Sequence, residues 1–245
     1  MSPQSIKKPF DKINLNDALI KIINEKSQKV ITLIHKNIEK YKNVAFANSL
    51  GAEDMVLVDL IKKNKLNVEI FSIDTGRLPP ETYNLIQAVE EKYQFKIKLY
   101  FPNNEKIESY VNTNGINAFY NSVDLRKSCC TIRKVEPLNR ALKNKNAWIT
   151  GMRQEQSLTR LSLQEEEFDE AHHIHKLNPL SSWSEIEVWA YIKNHNVPYN
   201  SLHDKSYPSI GCAPCTRAIS EGEDIRAGRW WWEDSHNKEC GLHAK

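Results

Sequence analysis

Five cysteines are spread unevenly through the 245 residues. Cys129 and Cys130 are adjacent, Cys212 and Cys215 form a Cys-x-x-Cys, and Cys240 lies in Lys238-Glu239-Cys240-Gly241-Leu242-His243 near the terminus. Two tight pairs suit a metal ion or an iron–sulfur cluster, and the residues alone leave zinc and iron–sulfur both open. A lone thiol in a polar segment, with a histidine three residues on, suits nucleophilic chemistry. Disulfides fit poorly: the count is odd, the chain is long, and adjacent cysteines seldom bridge one another. Vicinal Cys129-Cys130 is expected to strain the backbone locally, with a helix from Thr131 orienting the pair.

The N-terminus lacks an apolar signal core and no stretch is long and apolar enough to span a membrane, so the expectation is a cytoplasmic protein with no membrane partner. A net charge of +3 is too small to argue for nucleic acid, and no nucleic-acid partner is expected. The basic residues are placed more tellingly than they are numerous: Arg126, Lys127, Arg133, Lys134, Arg153, Arg160, Arg217, Arg226 and Arg229 lie near cysteines or loop motifs. Together they point to an anionic ligand.

These side chains need elements to position them. Residues 15–42 carry Leu15, Leu19, Ile22, Ile31, Ile34 and Ile38 at helical spacing. Strands are expected at 43–48, 68–73, 96–101 and 147–150, with helices at 53–63, 80–93 and 131–142, the last kinked at Pro137. Strand, loop and helix in repetition indicate a parallel sheet with helices on both faces. Three strands end in glycine-bearing loops: Ser49-Leu50-Gly51-Ala52-Glu53-Asp54, Asp74-Thr75-Gly76-Arg77 and Gly151-Met152-Arg153. Ligands of open α/β sheets bind beyond the carboxyl ends of the strands, so these loops should converge, the first presenting backbone N–H groups to an anion. His172, His173 and His175 read as an edge strand, and Trp183 and Trp189 as core. After residue 218 no period persists, and a mobile C-terminal tail is expected. Trp230-Trp231-Trp232 in that tail must either cap the core or dock when ligand binds.

The same motifs, together with Lys127-Ser128-Cys129-Cys130-Thr131-Ile132-Arg133-Lys134, Asn178-Pro179-Leu180 and Gly211-Cys212-Ala213-Pro214-Cys215-Thr216-Arg217, recur across nearly the whole chain in one group. The sequence resembles the assimilatory sulfonucleotide reductases, specifically the cluster-containing adenylyl-sulfate reductases. The resemblance implies an adenine nucleotide alpha hydrolase-like (PP-loop type) α/β fold in one reductase domain. Its parts would be N-terminal helices at 1–42, a nucleotide-binding core with the cluster site at 43–218, and the tail at 219–245. It implies reduction of adenosine 5′-phosphosulfate (APS) to sulfite and AMP, with thioredoxin or a similar dithiol protein as donor and an S-sulfocysteine on Cys240 as intermediate. It implies one 4Fe-4S cluster on Cys129, Cys130, Cys212 and Cys215, and a homo-oligomer is expected. Lys134, Arg226 and Arg229 are placed at the phosphosulfate, with His243 assisting the thiolate. Ser49, Gly51, Glu53, Asp54, Asp74, Thr75, Gly76, Gly151 and Arg153 are placed at the nucleotide. Some relatives lack the four cluster cysteines and use the 3′-phosphorylated substrate (PAPS); all four are present here, so APS is favoured. An adenylating ATP-pyrophosphatase shares the fold but would carry Ser-Gly-Gly-x-Asp-Ser where this chain has Ser49-Leu50-Gly51-Ala52-Glu53-Asp54. A non-enzymatic metal-binding module is the remaining alternative.

Overall fold

The computed structural model describes residues 9–157 and 160–234. The expected Cys240 and His243 lie outside the described residues. The chain opens with one long helix, α1 (Asp17–Tyr41), rather than several, capped by Asn16, whose side chain accepts the Leu19 N–H at 2.9 Å. Its one buried hydroxyl, Ser27, donates to the carbonyl of Ile23 and so carries no unsatisfied polar group into the core.

From there strand and helix alternate: β1 (Val44–Ala47), α2 (Ala52–Lys63), β2 (Glu69–Ile73), α3 (Pro80–Tyr93), β3 (Lys98–Tyr100), α4 (Asn104–Asn114), α5 (Val123–Cys130), α6 (Glu136–Leu142) and β4 (Ala147–Ile149). A hairpin of β5 (Glu166–Asp169) and β6 (Ile174–Leu177) and the helix α7 (Glu185–His195) complete the elements. The sheet order is β3-β2-β1-β4-β6-β5, parallel except that β5 runs antiparallel to β6 at the edge. His172 and His173 lie in the turn of that hairpin and His175 on β6, which pairs on both sides with β4 and β5, so the edge strand is β5 and carries none of the three.

Both faces of the sheet are covered. Alternate residues of the strands, among them Val44, Phe46, Ile70, Ala147 and Ile149, pack against α1, α2, α3 and α7 in the larger core. The intervening ones, Ala45, Phe71 and Trp148, meet Leu138, Ala141 and Leu142 of α6 in a smaller cluster on the opposite face. Trp183 and Trp189 are both in the larger core. No helix among the described residues is long and apolar enough to cross a membrane.

Two local expectations are corrected. Cys129 and Cys130 end α5 in ordinary helical geometry, with Cys130 at φ −64 and ψ −38, so the vicinal pair is unstrained. The irregularity instead follows it, as a π-helical turn over Thr131–Val135. Pro137 has no N–H to return to the carbonyl of Arg133, and the wider turn absorbs that defect upstream, leaving Pro137 in the first turn of α6 where proline is tolerated.

Candidate functional site

The strand order reverses between β1 and β4, and the crevice beyond the carboxyl ends at such a switch point is where an open α/β sheet binds its ligand. A cleft of about 680 Å³ opens there, lined by Ser49, Gly51, Glu53, Asp54, Thr75, Gly151 and Arg153 from the three expected loops, and by Lys134, Arg226 and Arg229. That volume lies in the range that holds a nucleotide-sized ligand.

The loop after β1 is built differently from the anion cradle expected. Its Ser49 donates both N–H and hydroxyl to Asp54 Oδ2, at 2.5 and 2.6 Å, so an internal carboxylate occupies donors that an external phosphate would otherwise take. Burial pushes Asp54 up to about 7, against the lowering effect of the Ser49 hydrogen bonds. Leu50, fully buried, is held at φ +65, a left-handed conformation that costs a residue with a Cβ roughly 1 kcal/mol. Gly151 completes the corner: a Cβ there would stand 2.1 Å from Asp54 Oδ1, so only glycine lets the loop after β4 approach α2 this closely.

Arg153 and Glu53 also serve one another. The buried Arg153 guanidinium donates through Nε to Glu53 Oε1 at 2.9 Å, and through Nη1 to Glu155 Oε2 and the Trp183 carbonyl. Gln156 adds a second donor to Glu53 Oε1 at 3.0 Å. His203, which the sequence did not single out, lies on the cleft wall with its edge against the Trp189 ring. Burial pushes it down to about 4, so its imidazole is neutral and brings no charge to the cleft.

The loop after β2 joins the cleft to the cysteines. Asp74 Oδ1 accepts from the Gly76 N–H at 2.8 Å and the Tyr83 hydroxyl at 2.9 Å, which sets the turn in which Gly76 takes φ +71. Thr75 Oγ1 lies 3.2 Å from Cys212 Sγ, and the Thr75 carbonyl accepts from Arg133 Nη1 at 2.7 Å. Cys129, Cys130, Cys212 and Cys215 line one small void, with no disulfide among them. Arg77, Arg126, Arg133 and Lys134 border the same void.

Two observations test which group this donor set fits. Four cysteine thiols around one void, with no disulfide among them, are a donor set that a thiolate-ligated cluster takes. Four thiolates are also a large negative charge to bury. Burial followed by the neighbouring Cys212 pushes Cys215 up to about 12, and four surrounding cations are the complement that an anionic thiolate-ligated cluster requires. The residues present fit an iron–sulfur cluster.

The described part of the expected mobile tail is fastened down. Residues Thr216 and Arg229 form an antiparallel bridge, Trp230 is buried, and Glu233 is paired with Arg126. Trp230 therefore caps the cysteine void and Trp232 packs on Tyr120, while Trp231 is exposed. Spacing could not reveal this arrangement, because Arg126 and Glu233 stand 107 positions apart.

Sheet order, switch-point cleft and loop chemistry define an α/β nucleotide-binding protein of the PP-loop type. Solved structures of the same fold include a Candida glabrata FMN adenylyltransferase, 15% identical with a TM-score of 0.58 over 96% of this chain and 81% of that one. The phosphoadenosine phosphosulfate reductase domain family matches residues 43–218, and the chain belongs to that family. Adenosine 5′-phosphosulfate reductase of Allochromatium vinosum is 54% identical over 88% of this chain and 84% of its own length. The protein of that name from Neisseria meningitidis serogroup A is 50% identical over 89% and 90%. A phosphoadenylyl-sulfate reductase structure from Candida auris is 30% identical, with a TM-score of 0.67 over 84% of this chain and 99% of that one.

Proposed function

We propose that this protein reduces adenosine 5′-phosphosulfate to sulfite and AMP in assimilatory sulfate reduction, upstream of cysteine biosynthesis. The observation that carries the reading is a shared wall: Lys134 and Cys212 line both the nucleotide-sized cleft and the four-cysteine void. Relatives at 50–54% identity bearing the name adenosine 5′-phosphosulfate reductase support it.

In this reading the nucleotide lies across the switch point, with its phosphosulfate toward Lys134, Arg226 and Arg229. Their positive charge offsets the two anionic groups and the charge that grows on the departing phosphate oxygen. The Cys240 thiolate attacks the sulfonate sulfur. A sulfur–sulfur bond forms, the sulfur–oxygen bond to phosphate breaks with its electron pair going to AMP, and Cys240 is left as a thiosulfonate. His243 assists the thiolate. A dithiol protein, thioredoxin or a close equivalent, attacks Sγ of Cys240 and expels sulfite. Its second thiol then resolves the mixed disulfide, so the donor supplies both electrons and leaves oxidised.

Cys129, Cys130, Cys212 and Cys215 would hold one 4Fe-4S cluster, which when bound supplies a polarising charge beside the cleft. Lys134, four residues past Cys130, links the two sites. A PAPS or dual-substrate reductase is the second reading, favoured by the likeness to the Candida auris phosphoadenylyl-sulfate reductase. Comparison of kcat/KM for APS and PAPS separates them.

Incubation with APS and no donor should leave a sulfonate adduct on the peptide containing Cys240, read by mass spectrometry. Cys240→Ser should abolish sulfite formation and retain the visible absorbance of the cysteine-bound group. Absence of the adduct, with turnover intact in the serine variant, would overturn the mechanism.

A further inference from the structure

A single buried ion pair joins the helix that presents two of the cysteines to the segment that leads toward Cys240. Arg126 sits on α5 one turn before Cys130, on the same helical face, and is 1% exposed. Its guanidinium makes a two-pronged contact with Glu233, Nε to Oε1 at 2.9 Å and Nη2 to Oε2 at 2.7 Å, and the Glu233 side chain is 4% exposed. The same guanidinium is in hydrogen-bonding and charge contact with Cys130 and rests over the Trp230 ring, 4.6 Å from its centre.

This arrangement is tense as well as buried. A guanidinium stays charged at any accessible pH, so deep in the protein it requires an anionic partner, and Glu233 supplies one from a distant stretch of chain. Trp230 takes φ +41, a conformation that a bulky side chain keeps only when its surroundings impose it. Those surroundings are Arg126 on one side and Arg229, 4.8 Å from the ring centre. The Trp230 N–H reaches the Cys215 carbonyl at 3.3 Å, and the Glu233 N–H reaches the Trp230 carbonyl at 2.9 Å.

We propose that Arg126 is a positioning residue that couples the cysteine site to the catalytic tail, its guanidinium shared between Cys130 and Glu233 so that each end holds the other in place. The proposal rests on the reading that Cys240, seven residues beyond Glu233, is the nucleophile. From a fixed Glu233 the thiol has a tether reaching at most roughly 25 Å. If the pair lets go, Trp230 still anchors the chain upstream through the Cys215 carbonyl, and the longer tether lowers the local concentration of the thiol by less than about twofold. Tether length alone is therefore a small effect. What the shared guanidinium adds is reciprocity: disturbing the tail must disturb the cysteines, and by the same factor the reverse.

The test uses the full chain as purified, with Glu233→Gln and, as a variant that keeps the charge but loses the fork, Arg126→Lys. Hydrogen exchange at the Trp230 and Glu233 amides should quicken about tenfold. Labelling of the Cys129–Cys130 peptide by a maleimide should quicken about threefold, although Glu233 is not among the residues lining the cysteine void. The kcat for sulfite release should fall about twofold or more, with KM for APS little changed. Faster exchange with unchanged cysteine labelling would reduce the pair to a simple clasp and overturn the coupling; so would a change confined to KM. If Glu233→Gln is too unstable to isolate, Arg126→Lys decides by the same two readings. Failure to find a sulfonate on Cys240 would remove the catalytic meaning but leave the labelling result to stand or fall by itself.

Discussion

Asp54 fills, from within the chain, the position where an incoming anion would meet the loop after β1, and burial holds its carboxyl near pH 7 despite two donors from Ser49. The consequence for stability has a definite sign. An aspartate whose native pKa is raised keeps its proton where the unfolded chain has lost it. Its contribution is whole below pH ~4 and is lost as pH rises to about 7. Asp54→Asn lacks that slope. Urea denaturation at pH 5 and pH 8 should therefore show the native protein losing on the order of 3 kcal/mol more than the variant across that interval. Parallel curves for the two proteins would mean that the carboxyl is ionised throughout. The same carboxylate explains why the loop motif suggested a phosphate cradle: its residue types are right for one, and only coordinates reveal that the donors turn inward.

The contact that locks this loop belongs to two elements, α2 and the turn after β4. Gly151→Ala would force its Cβ into Asp54 Oδ1 and against Glu53 Cβ at 3.1 Å, so the buried Asp54 carboxyl must leave its Ser49 donors or the two loops must part. The expected cost is about 1–3 kcal/mol in urea denaturation, with weaker AMP binding by calorimetry. Gly51→Ala meets only Ser49 Oγ at 3.4 Å and Glu53 Oε2 at 3.7 Å, and should cost clearly less; equal costs would show that the corner relaxes freely. At this scale much was legible. The runs ending at Ala47 and Ile73 are apolar and bounded by turn residues, Pro80 starts α3 where proline belongs, and each glycine loop lies at a strand end. The π turn was not legible, because a proline marks a defect without saying which carbonyl yields. Nor was the β5–β6 hairpin, whose Glu166-Glu167-Phe168-Asp169 strand reads as an acidic loop until Lys176 and Lys40 pair with it. Arg126 was noticed only as one base among several, since nothing local in sequence announces a partner 107 residues away.

Across the molecule, the sheet and the cysteine site are held by different means. The larger core joins α1, α2, α3 and α7 to the strands through aliphatic and aromatic packing that contains none of the four cysteines. The cysteine site lies at the rim, where α5, the loop at Gly211–Thr216 and residues 229–233 meet through Thr75, Arg133, Arg126 and Trp230. A group bound to thiolates from α5 and from the 212–215 loop therefore closes the rim, while the sheet already closes the long loop between them, so its removal should cost local order and little of the fold. Cys212→Ser, which removes one thiolate and the Thr75 contact, should keep its far-UV circular dichroism and still bind AMP. Brief trypsin treatment should then cut at Lys127, Arg217, Arg226 and Arg229, sites slow to cleave in the native protein, while the peptide spanning α1 to β3 persists. Loss of the circular dichroism signal together with one early cooperative melt would show that the cysteine site is a part of the core, and that the rim and the sheet unfold as one.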